Sequence, residues 1–309
     1  MSFVSCYERS PVILMEGAVG QRLKREYNLP YDDIVDLADI IYRKGGKEAL
    51  STIWKQYIDV ARKYHLPFMV TTPIRRANRE RVLKAGYDEA IILDNVNLLR
   101  QIRDASDVEM YIGGGMGCKG DAYKATEILQ ADEAVEFHSW QADMYMRAGV
   151  DFLYAVIMPA LSESIGMARA LERTELPYIV SFMIRKNGRL IDGTAISDAI
   201  SQIDNSVNRP PICYMSNCVH PDVLYEALSR DFNQTVFVKQ RFHGIQANAS
   251  ALSPEELDNS EEPKCSDPIE LAQSMKKLTE LITLRIVGGC CGTDNTHIDE
   301  IAKIMSPVI

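Results

Sequence analysis

Short runs of apolar and β-branched residues recur along the chain, separated by longer stretches in which apolar positions return every three or four residues. Eight runs have the length and composition of strands: "PVILM" (11–15), "PFMVTT" (67–72), "EMYIGG" (109–114), "DFLYAVIM" (151–158), "PYIVSFMI" (177–184), "PICYMSN" (211–217), "TVFVKQ" (235–240) and "LRIVGG" (284–289). The segments between them read as helices. "ADEAVEFHSWQADMYMRAG" ends on a glycine suited to a helix C-cap, and "HPDVLYEALSR" follows a Ser/Asn turn. Eight buried strands alternating with helices predict an α/β fold. A doubly wound open sheet uses the same alternation, but the count favours a (β/α)8 TIM barrel, here one domain over residues 1–309.

Two connections are longer than the rest. Residues 17–66 contain "DDIVDLADIIYRK" and "EALSTIWKQYIDVARKYH", both predicted helical. Residues 246–268 are polar and acidic, and their "SPEE" reads as a short helix with an N-cap serine, a proline at the first position and a capping-box glutamate.

Charge narrows the function. The chain has 34 Lys and Arg against 43 Asp and Glu, a net charge of −9, which disfavours nucleic acid and anionic membrane surfaces as partners. No apolar stretch approaches the roughly 18 to 20 residues that span a bilayer. The opening "MSFVSCYERS" lacks a secretory pattern. Seven scattered cysteines then predict a cytoplasmic protein with free thiols.

The strongest chemical signal is "RIVGGCCGTDNTH" at 285–297. Chemistry in a barrel sits beyond the carboxyl ends of the strands. Cys218 follows the sixth predicted strand and Cys290 and Cys291 follow the eighth, so three thiols can converge over one mouth. Neighbouring strand residues face opposite ways, and Gly288, Gly289 and Gly292 supply the freedom to turn both sulfurs inward. Three thiolates select zinc or a similar thiophilic ion and leave a fourth position open. Their combined charge is poor for generating hydroxide but suits holding an exogenous thiol as its thiolate. The chemistry implied is alkylation of a thiol.

Other readings compete. Each cysteine could be a small buried core residue, Cys290 and Cys291 could form a vicinal disulfide, and His220 could close a four-ligand structural site. The last would make the chain a noncatalytic zinc- or thiol-binding barrel. A hydrolase would need a carboxylate base, for which Glu16 is the candidate.

Together these motifs resemble the homocysteine S-methyltransferase family. "GGCCGT" at 288–293 is similar to its strongest signature and "SNC" at 216–218 to its asparagine-cysteine motif. "EGAVGQRL" (16–23), "HSWQA" (138–142) and "NGRLIDGT" (187–194) extend the likeness over nearly the whole chain. The resemblance implies a zinc-dependent barrel with Cys218, Cys290 and Cys291 as ligands, transferring a methyl group to the sulfur of homocysteine. It implies substrate-binding roles for Glu16, Gly17 and Asn217, with Glu16 facing a substrate ammonium and Asn217 orienting the Cys218 turn or bonding substrate. The donor would be a small onium compound such as betaine or S-methylmethionine, or methylated folate delivered through a separate corrinoid protein. The long segment between the first two strands offers helices for a homo-oligomer.

Two departures bear on the acceptor. Where the family usually has glutamate and threonine after the fourth strand, this chain has Val156 and Ile157; where it more often shows threonine and an aromatic residue after the second, Ile74 and Arg75 stand. A carboxylate is missing and cations are added. The acceptor is therefore expected to be a thiol other than homocysteine, or homocysteine with its head turned differently, with Arg75 or Arg76 pairing with an acidic group. His138 and Gln141 read as packing residues on one helical face. Thr296, followed by Asp299, reads as a helix N-cap.

Overall fold

The computed structural model describes residues 1–251 and 266–307, so the predicted "SPEE" helix lies outside the described residues. Eight strands close into a barrel in sequence order: β1 Ile13–Met15, β2 Phe68–Thr71, β3 Met110–Gly117, β4 Phe152–Met158, β5 Tyr178–Phe182, β6 Cys213–Val219, β7 Phe242–Ala247 and β8 Ile286–Gly289. Every neighbouring pair is parallel, and β8 closes on β1 through Ile13 opposite Ile286. The (β/α)8 barrel predicted from the strand rhythm is the observed fold. Its strands are buried along nearly their whole length because side chains fill the interior on one face and helices cover the other.

The helix Phe3–Arg9 packs under the amino-terminal end of the barrel. Phe3 stacks on Phe152 at 4.4 Å between centroids, and the Tyr7 hydroxyl bonds His243 Nδ1 at 2.5 Å. With this end plugged, the opposite mouth is left for chemistry.

The predicted helices around 131–148 and 221–228 form as Ala131–Ala148 and Pro221–Leu228, the first ending at Gly149 with φ of 70°. The predicted 48–65 helix is Gly46–Lys63. Among the described residues, no helix is long and apolar enough to cross a membrane.

Three expectations fail. Residues 235–240 are not the seventh strand: Thr235 accepts the Val238 N–H at 3.1 Å and caps the helix Val236–Arg241, leaving Val236 71% exposed. The true β7, "FHGIQA", hides its strand character behind polar residues; Gln246 Oε1 accepts the Tyr154 hydroxyl at 3.0 Å. Residues 32–44 do not form a helix either. Asp32 Oδ1 accepts the N–H groups of Ile34 and Val35, both at 2.8 Å, which folds the chain into a turn and leaves a single 3-10 turn at Ile40–Tyr42. The last helix, Asn295–Met305, is capped by Asp294 rather than Thr296, whose hydroxyl donates to Asp294 Oδ1 at 2.6 Å.

Candidate functional site

Two irregularities at the strand ends aim the site. In the pairing of β6 with β7, Asn217 lies opposite Gln246 and Val219 opposite Ala247, so Cys218 is an extra residue in a bulge. It adopts a left-handed φ of 56°. On β4 the register with β5 also shifts between Ala155 and Met158, and Ile157 has a φ of 55°. A left-handed conformation is uncommon for a β-branched residue and persists where surrounding contacts hold it. Asn217 supplies those contacts: its side-chain oxygen accepts the Ile157 N–H at 2.9 Å and the Ser181 hydroxyl at 2.5 Å. Of the positioning and substrate-binding roles implied for Asn217 by the family resemblance, the bonds seen belong to positioning.

After β8 the chain is pinned at each step. The Cys290 N–H donates to Ala247 O at 2.7 Å and Cys291 O accepts the Ala249 N–H at 2.9 Å. The Thr293 hydroxyl donates to Cys290 O at 2.7 Å and accepts the Ala18 N–H at 3.1 Å, joining this turn to the loop after β1. Gly292 has a φ of 80°, and a Cβ on Gly289 would collide with the Thr293 side chain. Glycine is required at both positions, for conformation at one and for closeness at the other.

Cys218, Cys290 and Cys291 offer sulfurs that all lie within 4.8 Å of one another. Cys291 Sγ is 3.8 Å from that of Cys218 and 4.0 Å from that of Cys290. The convergence expected over the barrel mouth is present. The expectation of free thiols is not fully met: Cys218 and Cys290 are joined as a disulfide, because the turns that gather three sulfurs bring two within bonding reach. No vicinal disulfide links Cys290 and Cys291, since Cys291 is free. Burial pushes the Cys291 thiol up, while the Arg75 charge pulls it back.

His220 is not part of this cluster. Its Nδ1 accepts the Asp222 N–H at 3.2 Å as the cap of the following helix, and its Nε2 lies 3.2 Å from Ser266 Oγ. Both ring nitrogens are used elsewhere.

A cavity of about 200 Å³ opens beside the sulfurs, and Glu16, Gly17, Arg75 and Asn217 all line it. So do Val156 and Ile157, the two departures noted after the fourth strand. Glu16 is only 5% exposed. Its Oε1 accepts the Thr71 hydroxyl at 2.7 Å, the Thr71 N–H reaches its two oxygens at 3.1 and 3.2 Å, and burial pushes the carboxyl up to about 7. Gly17 sits against the Tyr57 ring, whose hydroxyl donates to Ala18 O at 2.7 Å. Arg75 pairs with Asp36 at 3.4 Å, while Arg76 does not line the cavity. Ile74 is wholly buried in the core. A second cavity, about 750 Å³, lies on the far side of Cys218 and shares Cys218 and Tyr123 with the first.

His138 and Gln141 are packing residues, as expected, though they do not pair with each other. His138 Nε2 lies 3.1 Å from Glu163 Oε1, and Gln141 donates to Ile74 O at 3.1 Å. The sequence did not disclose Asp36, Thr71 or Tyr123. Asp36 sits in the segment predicted as a helix, which the structure folds into a turn instead.

A parallel eight-stranded barrel with a three-sulfur cluster and a cavity at its carboxyl-terminal mouth defines a (β/α)8 barrel with a thiol-based candidate metal site. Residues 13–305 match the family model for homocysteine S-methyltransferase, and the chain belongs to that family. It is 26% identical over 187 residues to homocysteine S-methyltransferase YbgG from Bacillus subtilis (strain 168), covering 59% of this chain and 56% of that protein, little more than half its length. The fold is shared with crystal structures of the homocysteine methyltransferase MmuM from Escherichia coli. The oxidized form matches with a TM-score of 0.74 and 18% identity over 96% of this chain and 97% of that one. The metallated form gives the same TM-score and identity over 97% and 98%.

Proposed function

We propose that this chain is a zinc-dependent S-methyltransferase that moves a methyl group onto a thiol acceptor, homocysteine or a close relative of it. The observation that carries this reading is the convergence of Cys218, Cys290 and Cys291 at the mouth of the barrel. Three soft sulfurs fit zinc, and the two ring nitrogens of His220 have other partners, which favours a site with one position left for substrate. A zinc ion held there would supply a cation that takes the acceptor sulfur as its thiolate.

The chain's own residues do the rest. Asn217 and the bulge on β6 fix the direction of Cys218, and Glu16, Gly17, Val156 and Ile157 shape a small chamber for the acceptor. The larger cavity beyond Cys218 gives the donor a separate approach. The acceptor sulfur forms its bond to the methyl carbon as the bond from that carbon to the donor's onium centre breaks, the electron pair leaving with the donor and the thiol proton passing to solvent. Proximity and an electron-rich sulfur provide the rate, so no general base is assigned. The donor is a small onium compound or a methyl group carried by a separate corrinoid protein. Glu16 does not suit a hydrolytic base, because both its oxygens are engaged by Thr71.

The test is a metal assay with a screen of thiols and methyl donors on reduced protein, run beside Cys290→Ser. Loss of both zinc and turnover in the variant is expected. Full zinc occupancy in Cys290→Ser would overturn the assignment.

A further inference from the structure

We propose that Arg75 and Asp36 together hold the amino-acid head of the acceptor at the rim of the cavity, Arg75 taking its carboxylate and Asp36 its ammonium. This rests on the reading that the acceptor sulfur docks at the cysteine cluster.

Among the described residues, and besides the cysteines and tyrosines, the ionisable side chains lining the cavity are Glu16, Asp36 and Arg75. Glu16 is a poor ammonium partner. It is buried, its oxygens face Thr71, and its neutral form persists close to neutral pH. The end of β4 offers only Val156 and Ile157, which can line an alkyl chain but hold no charge.

That leaves one cation and one anion side by side. Arg75 Nη2 lies 3.4 Å from Asp36 Oδ2, a single long contact that leaves most of the guanidinium's five N–H donors for another acceptor. Their side chains are 37% and 16% exposed, so the pair borders solvent without being dispersed in it. Arg75, Asp36 and Tyr31 line the same cavity as Cys218, Cys290 and Cys291. An acceptor with only a carboxylate would set it beside Asp36, and one with only an ammonium would set it beside Arg75. A zwitterion meets both charges favourably.

The backbone supports the placement. Asp36 has a φ of 61° and pairs through its backbone with Asp32, so its side chain is presented by a fixed turn. Asparagine tolerates that conformation, which makes Asp36→Asn a clean test.

Isothermal titration of reduced, zinc-loaded protein with three thiols reads the proposal directly. They are homocysteine, 4-mercaptobutanoate, which lacks the ammonium, and 3-mercaptopropylamine, which lacks the carboxylate. Homocysteine should bind at least about tenfold more tightly than either. Asp36→Asn should bring homocysteine down to the level of 4-mercaptobutanoate, and Arg75→Gln down to that of the amine. Equal binding of homocysteine and 4-mercaptobutanoate to the parent protein would overturn the proposal, as would unchanged homocysteine affinity in both variants. Failure of all three thiols to bind would instead remove the thiol-acceptor reading, and this proposal with it.

Discussion

The side-chain oxygen of Asn217 accepts the backbone N–H of Ile157 at 2.9 Å, tying the irregular end of β4 to the bulge that aims Cys218. The same oxygen takes the Ser181 hydroxyl, so one amide serves three neighbouring strands.

Removing that tie should loosen the metal site without unfolding the barrel. Asn217→Ala is expected to weaken zinc binding by about 10–100-fold, the usual cost of losing a group that orients a ligand. Competition against a chromophoric chelator measures it. Unchanged affinity would mean that the bulge holds Cys218 by itself.

Glu16 makes stability depend on pH. Its folded-state carboxyl is raised to about 7 from an ordinary 4.5, mainly by burial. The folded state therefore keeps a proton that the unfolded chain releases. The sign follows: stability from this group is fully present below about pH 4.5 and is lost as pH rises through about 7, a change on the order of 3 kcal/mol. Glu16→Gln should remove that slope. Chemical denaturation of both proteins from pH 5 to 8 should show the parent losing stability relative to the variant as pH rises, and parallel curves would contradict it.

The glycine after the cysteine pair separates local strain from site geometry. Gly292 has a φ of 80° and its N–H donates to Gln21 at 2.6 Å, whereas Gly45, with a φ of 76°, has open space where a Cβ would go. Alanine at either position should cost about 1–2 kcal/mol for the left-handed backbone. Zinc affinity should fall only in Gly292→Ala. Thermal melts alongside chelator competition distinguish the two effects, and equal loss of metal in both variants would argue against a local role for the turn.

Redox state should gate metal loading. The pairing of Cys218 with Cys290 consumes two of the three sulfurs proposed to hold zinc. Protein oxidised with diamide is expected to take up little zinc, and a reductant should restore near-stoichiometric uptake. Thiol titration with and without zinc provides the check; equal uptake by oxidised and reduced protein would place the metal elsewhere.

Much of this architecture could be read from the residues, and the parts that could not have physical reasons. Seven strands were recognisable because burial on both faces writes a largely apolar run. β7 was not, since Gln246 faces a partner inside the barrel and His243 bonds Tyr7 at its base, giving a strand with polar positions. "TVFVKQ" looked more like a strand, but a threonine cap and one buried valine suffice for its short helix. The cysteines were legible through spacing and glycines. Asp36 was not, because side-chain to backbone bonds from Asp32 override the helical periodicity of 32–44 and deliver Asp36 to the cavity rim. The partner of Glu16 was equally hidden, since Thr71 comes from a different strand.

Zinc-edge X-ray absorption on reduced, metal-loaded protein, before and after adding homocysteine, tests the central claim most directly. Three sulfur ligands at roughly 2.3 Å with one lighter atom are expected first, and four sulfurs once the thiol is present. Fewer than three sulfurs at the start, or a sulfur count that saturating homocysteine leaves unchanged, would contradict it.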